Sequence, residues 1–191
     1  MTTATAPRAR LCVADWEQAA LDALAECDLA AVSVEALARS LGVTKGSFYW
    51  HFESREALLQ AALAHWEGND ADDLINRVAA VSDPRERLRQ LFRDASHPDR
   101  AHSIHGALLR AVDNPVVKPV IARVSGRGLE FMAQAFRECG LSESDAAHRA
   151  RLAYAAYIGF RQLSSQFGVP RLSASALRDY VEHVIGTLVP A

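Results

Sequence analysis

Residues 33–55 read Ser33-Val-Glu-Ala-Leu-Ala-Arg-Ser-Leu-Gly-Val-Thr-Lys-Gly-Ser-Phe-Tyr-Trp-His-Phe-Glu-Ser-Arg55, and this stretch decides the fold. Val34, Leu37, Ala38 and Leu41 fall at i, i+3, i+4 and i+7, the apolar face of one helix. Ser33 stands just before that face, where its hydroxyl can accept a hydrogen bond from a free backbone N–H. Gly42 follows Leu41 and suits the left-handed residue that closes a helix. Thr44 offers a second N-cap, and Phe48 and Phe52, four apart, give the next helix its inner face. Two short helices joined by a tight turn, with a third beginning after Ser54, make a helix-turn-helix.

The outer face of the second helix carries the functional reading. At about 100° per residue, Gly46, Ser47, Tyr49 and Trp50 point away from Phe48 and Phe52. Two large aromatics thus lie where a solvated helix would carry Glu or Lys. Lys45 and His51 flank them and Arg55 follows. Hydroxyls, imidazole and cations are groups that hold phosphates and touch base edges, so the helix is expected to enter a major groove.

These residues resemble the DNA-binding domain of the TetR family of transcriptional regulators. The shared pattern runs through Ala19-Ala20, Leu24, Ser33, Leu37-Ala38, Gly42-Val43, Gly46-Ser47, Tyr49-Trp50-His51-Phe52, Arg55 and Leu58, about residues 10 to 60. The resemblance implies an all-α protein. A flexible arm (1–11) precedes a three-helix DNA-binding domain (12–56), and a helical effector-binding and dimerisation domain (57–191) follows. It implies DNA contacts from Ser33, Thr44, Lys45, Gly46, Ser47, Tyr49, Trp50, His51 and Arg55. Two positions depart from the pattern. Asp28 stands where the family has Gly, and Asp tolerates left-handed backbone less well. Arg55 stands where the family has Lys, which keeps the charge.

Composition agrees with that class. Half of the 191 residues are hydrophobic, alanine is plentiful, and Gly and Pro are few. No strand-like alternation persists, which points to helices. No apolar run approaches the roughly 18 residues that a membrane span needs, and the first ten residues lack an apolar stretch of signal-peptide type. Cys12, Cys27 and Cys139 are odd in number and far apart, as in reduced thiols of a cytoplasmic protein. The net charge of −2 gives no support for nucleic-acid binding, and residues 1–60 carry five cations against eight acids. The cations are therefore expected on the DNA face, with hydroxyls and backbone N–H groups sharing the phosphate contacts.

Along the rest of the chain, Arg8 and Arg10 lie on an arm of the kind that reaches a minor groove. Asp15 is placed to cap a first helix ending near Cys27. Ser54 caps a long helix expected to run to about Ala80, the lever between the two domains. Asp83-Pro84-Arg85-Glu86 is a helix start. A helix from Ile104 to Val112, a longer one from Val117 bent or delayed by Pro119, one from Ser142 to Phe167 and one from Ser173 to Val189 complete a count of about nine.

Other sites are weaker. His97, His102 and His105 lie close together, with Asp94 and Asp99 near, but read as surface histidines around a helix break; no metal is assigned. No phosphate-binding glycine loop, Gly-x-Ser-x-Gly or His-Glu-x-x-His occurs, so no catalytic residue and no cofactor is assigned. The family resemblance implies a small-molecule effector among the later helices. Trp66, Phe92, Phe131, Tyr154 and Tyr157 are its candidate walls, and few charges on inner faces favour a largely apolar effector. Arg110 and Arg161 would serve an anion. Leu177, Val181, Val184 and Leu188 form a seam at spacings of four, three and four. Ala153, Ala156, Gly159, Phe160 and Leu163 precede it on the previous helix, and the family dimerises through these two helices. The expected function is a dimeric repressor released from palindromic operator DNA by the effector. An activator of the same fold is the nearer alternative, a ligand carrier or enzyme with the motif as scaffold the farther one.

Overall fold

The computed structural model describes residues 11–96, 100–166 and 168–190. Arg8, Arg10, His97 and Asp99 lie outside them. The described residues form ten α-helices and one 3-10 turn and contain no strand: α1 Val13–Glu26, the turn Leu29–Ala31, α2 Val34–Leu41, α3 Lys45–Tyr49, α4 Arg55–Asn69, α5 Asp73–Ala79, α6 Pro84–Ser96, α7 Arg100–Arg110, α8 Val117–Glu138, α9 Glu143–Gln166 and α10 Ala174–Leu188.

Most starts follow the sequence. The hydroxyls of Ser33, Ser54 and Ser173 accept from the backbone N–H three residues on, at 3.2, 3.1 and 3.2 Å. Gly42 ends α2 at φ 65°, a conformation that costs a side-chain-bearing residue about 1–2 kcal/mol. Asp15 acts from inside α1 rather than before it: its carboxylate accepts from the Cys12 N–H at 2.7 Å. Thr44 makes no side-chain cap to α3, contrary to expectation. The Asp28 departure costs nothing, because Asp28 is extended (φ −164°) and its carboxylate caps the 3-10 turn through Ala30 and Ala31.

The long helix after Ser54 is shorter than expected. It stops at Asn69, whose side-chain amide donates to the His65 carbonyl at 2.9 Å, and a separate α5 follows. Gly68-Asn69-Asp70-Ala71-Asp72-Asp73 is poor in helix formers, and its short polar side chains compete for backbone groups. α7 begins at Arg100, earlier than Ile104. Pro119 neither bends nor delays α8, because it sits in the first turn, where its missing N–H has no partner to lose.

Two cores organise the bundle. The first joins Trp16, Leu21, Leu24, Leu37, Phe48, Leu58, Leu63 and Trp66 to Ile104, Ala107 and Leu108 of α7 and to Val117–Val124 of α8. The second gathers Val78, Leu88, Leu91, Met132, Phe136, Ala150, Ala153, Val181, Ile185 and Leu188. α8 runs through both, and α10 lies on α6, where Arg93 donates to Glu182 at 2.8 Å.

Candidate functional site

The N-terminal surface is built outward from Phe48. Its ring is fully buried, edge-on to Trp16 at 5.3 Å and stacked with Phe52 at 5.7 Å. With that face fixed, Tyr49 is 63% and Trp50 88% exposed. α3 ends at Tyr49, so Trp50 and His51 stand on the turn beyond it. The N–H groups of His51 and Phe52 both reach the Phe48 carbonyl, which returns Phe52 to the interior. Thr44, Lys45 and Gly46 are exposed and Ser47 is half-buried. Trp50, His51 and Ser47 border Leu11, Cys12 and Val13, so the start of α1 flanks the aromatic pair. The sequence marked none of those three for this surface.

Three of the residues expected to meet DNA already have partners. Ser33 caps α2. Lys45 is paired with Glu35 of α2, whose carboxyl is held below its ordinary value mainly by that hydrogen bond. Arg55 turns inward: its guanidinium donates from Nε to the Val32 carbonyl and from Nη2 to the Leu29 carbonyl at 2.7 Å. It ties the start of α4 to the segment between α1 and α2. A carbonyl pair so far away in sequence leaves no local pattern to find.

The second feature is a cavity of about 380 Å³ between the two cores, within the range of small-molecule sites. Trp66, Phe92, Phe131, Tyr154 and Tyr157 all line it, brought from α4, α6, α8 and α9. Leu74, Ile75, Leu91, Val124 and Met132 add carbon. The lining is less purely apolar than expected: Asp70, Asp72 and Asp73 come from the α4–α5 turn, Arg100, His102 and His105 from α7. Periodicity hid the acids, because it continued the helix through that turn. Arg161 donates to the His102 carbonyl at 3.0 Å and lies 5.8 Å from the Tyr157 ring centre, while Arg110 donates to the Cys27 carbonyl at 3.2 Å.

His105 is the centre of the polar end. Its ring lies within 23° of parallel to Trp66 and 18° to Tyr157, with centroids 6.4 and 6.0 Å away. Tyr154 Oη donates to Ser125 Oγ at 2.8 Å and stands 3.3 Å from His105 Nε2, and Tyr157 Oη stands 3.5 Å from Nδ1. These partners suit a neutral ring protonated on Nε2. Burial, and then the charges of His102 and Arg161, push its pKa down to about 4. Among the described residues no three His, Cys, Asp or Glu side chains converge as a metal site.

The stripe expected to form a dimer seam faces inward. Ala153, Val181 and Leu188 are buried in the second core, and Leu177 and Val184 pack against it. Ala156 and Phe160 border a small cleft with Tyr180, whose ring stacks on Phe160 at 4.7 Å. A four-three-four spacing serves packing within a chain as well as between chains. Of the expected seam residues, Leu163 is exposed, at 45%, and so is Leu152, at 58%, on the same helix.

Residues 18–62 match the profile of the bacterial regulatory proteins, tetR family. Over that segment the chain is similar to that family. A curated relative, the HTH-type transcriptional regulator YerO of Bacillus subtilis (strain 168), is 35% identical over 63 residues, which is 32% of this chain and 22% of that protein's length. Solved structures share the fold over nearly the whole chain. A transcriptional regulator from Saccharomonospora viridis in complex with choline superposes with a TM-score of 0.77 at 20% identity, covering 91% of this chain and 95% of that one. The transcriptional regulator FadR from Bacillus subtilis in complex with stearoyl-CoA gives 0.63 at 15%, covering 92% and 97%. The fold shared with these structures therefore extends well past the matched segment. Among the described residues no helix is long and apolar enough to cross a membrane.

Proposed function

We propose that the chain is a cytoplasmic transcriptional repressor that binds palindromic operator DNA as a dimer and releases it when a small molecule fills the cavity. The observation that carries this reading is the exposed Tyr49–Trp50 pair beside Lys45 and Ser47, at the end of a short helix locked from behind by Phe48. An aromatic pair left mostly in water, with only the Tyr49 ring resting edge-on against Phe48, suits base edges and sugar-phosphate backbone. Residues 12–56 carry the DNA contacts and 57–191 the effector and dimer contacts. Release needs only that the effector prefer the conformation with the poorer half-site spacing.

The five aromatic walls and the carbon-rich lining support an effector with a largely apolar body. Choline and stearoyl-CoA occupy structures of this fold, so the scaffold accommodates ligands of very different size. Dimer contacts fall to the outer face of α9 around Leu152 and Leu163, with α10 beside it, because the inner stripe is already used. Footprinting on the DNA upstream of the chain's own gene tests the reading. Two protected half-sites about 34–36 Å apart are expected, one helical turn. Uniform, sequence-independent protection that survives loss of the Tyr49 ring would refute it.

A further inference from the structure

α7 separates the cavity from the DNA-binding helices and touches both. Ala101, His102 and His105 line the cavity, while Ile104, Ala107 and Leu108, all 0–1% exposed, are packed into the first core. Each end of α7 is pinned to α1 by an arginine. At the far end Arg110 donates to the Cys27 carbonyl. At the near end Arg100, itself part of the cavity wall, donates from Nε to Asp22 Oδ1 at 2.9 Å, and its Nη2 is also 2.9 Å from that oxygen. Its Nη1 lies 3.5 Å from Asp70, the residue that ends α4. Gln18 of α1 donates to the same Asp22 oxygen at 3.0 Å, which holds the carboxylate in place.

We propose that Arg100 is a positioning residue that couples the cavity to the DNA-binding unit: an occupant of the cavity moves its guanidinium, the bond to Asp22 is lost, and α1 shifts on α7. This rests on the DNA-binding reading above and adds the route of the signal. Arg100 is a wall side chain bonded to a carboxylate of α1 and near the end of α4, so one displacement reaches both. The pair is half in water and its energy is modest, so it sets the seat of α1 and does not hold the domains together. Ile104, Ala107 and Leu108 do that.

The effector's identity is not needed for the test, because a bulky side chain can stand in for it. The Gly128 Cα faces the cavity wall, and an added Cβ would meet only Tyr154, at an ordinary 3.8 Å. Gly128→Leu therefore puts carbon where an occupant would lie, and Ile75→Trp does so from α5. Operator affinity is measured for each, alone and combined with Arg100→Gln or Asp22→Asn, on a duplex selected from a random pool by the wild-type protein. Each filling substitution should weaken binding. That weakening should shrink by about two- to fivefold when Arg100 or Asp22 has already been changed, the scale of a half-exposed ion pair. Melting curves accompany each variant, and a purely structural pair would lower stability while leaving the filling effect unchanged. The same factor in every background, or no effect of either filling substitution, overturns the proposal while leaving DNA binding intact. Failure of the wild type to select any duplex would instead overturn the function itself.

Discussion

The indole of Trp16 meets the ring of Phe48 edge-on, with centroids 5.3 Å apart. With the Phe52 stack and the surrounding core, that contact helps fix the rotation of α3, and so the outward aim of Tyr49 and Trp50. Phe48→Ala should cost about 3–5 kcal/mol of stability, the usual penalty for emptying a buried aromatic site. Tyr49→Ala removes a side chain that is mostly in water. It should leave the thermal midpoint nearly unchanged and weaken specific DNA binding by about 1–3 kcal/mol. Equal melting losses in both variants would place Tyr49 in the core and remove it from the DNA surface.

Arg55 offers a separable test of fold against function. Its planar fork reaches the Val32 and Leu29 carbonyls together, and a lysine ammonium on a flexible stem reproduces that geometry poorly. Arg55→Lys should therefore lower stability by about 1 kcal/mol although the charge is kept. Urea unfolding of the two proteins measures it. An unchanged urea midpoint with weakened operator binding would mean that the cation serves DNA and not the loop.

Acid should weaken the protein in two stages. His105 takes up a proton near 6.5 when unfolded but only at about 4 in the fold. Between those values the unfolded chain binds more protons, so stability falls as the pH drops from 6.5 to 4, by on the order of 3 kcal/mol. Glu67 acts lower. Hydrogen bonds from Arg123 and Arg127, against some desolvation, hold its carboxyl at about 2. Its contribution is complete above 4.5 and disappears as the pH falls towards 2; solvent screening limits it to about 1 kcal/mol. Unfolding free energies across pH 7 to 3 should lose the upper slope in His105→Gln and the lower in Glu67→Gln. A His105→Gln profile that still falls between pH 6.5 and 4 would assign that stage to another group.

Assembly separates two faces of the last helices. Leu163→Asp puts a charge on an exposed apolar position and should halve the mass seen by sedimentation without a change in melting. Val181→Asp puts a carboxylate among Leu88, Leu91 and Ile185 of the second core and should unfold the chain before it splits any dimer. A stable monomer from Val181→Asp would restore the inner stripe as the interface.

What the sequence disclosed and what it hid differ by the range of the interactions. Ser33, Gly42, Ser54 and Ser173 act on residues three or four away, and all four could be read directly. The Tyr49–Trp50 exposure followed from one helical wheel anchored on Phe48. The family resemblance implies a small-molecule site with aromatic walls, and the fold brings Trp66, Phe92, Phe131, Tyr154 and Tyr157 together around one space. The inward turn of Arg55 joins residues more than twenty apart, and the Asp22–Arg100 pair spans seventy-eight, which no local pattern encodes. The break at Asn69 was local but lost, because the apolar spacing continued through it.

The two faces of α7 bear on how such regulators can be recombined. Ile104, Ala107 and Leu108 complete the interior of the first core, so a fragment ending after α4 would leave Leu24, Leu63 and Trp66 without their roof. The proposed boundary near residue 56 would divide tasks and not packing, since the first core crosses it. A chimaera that grafts this DNA-reading head onto a foreign sensor must carry α7 and the first turns of α8 with it, or redesign the underside of α1 to fit the new host. If the proposed effector site is right, a change of effector is reached more readily by altering the cavity walls than by exchanging whole domains.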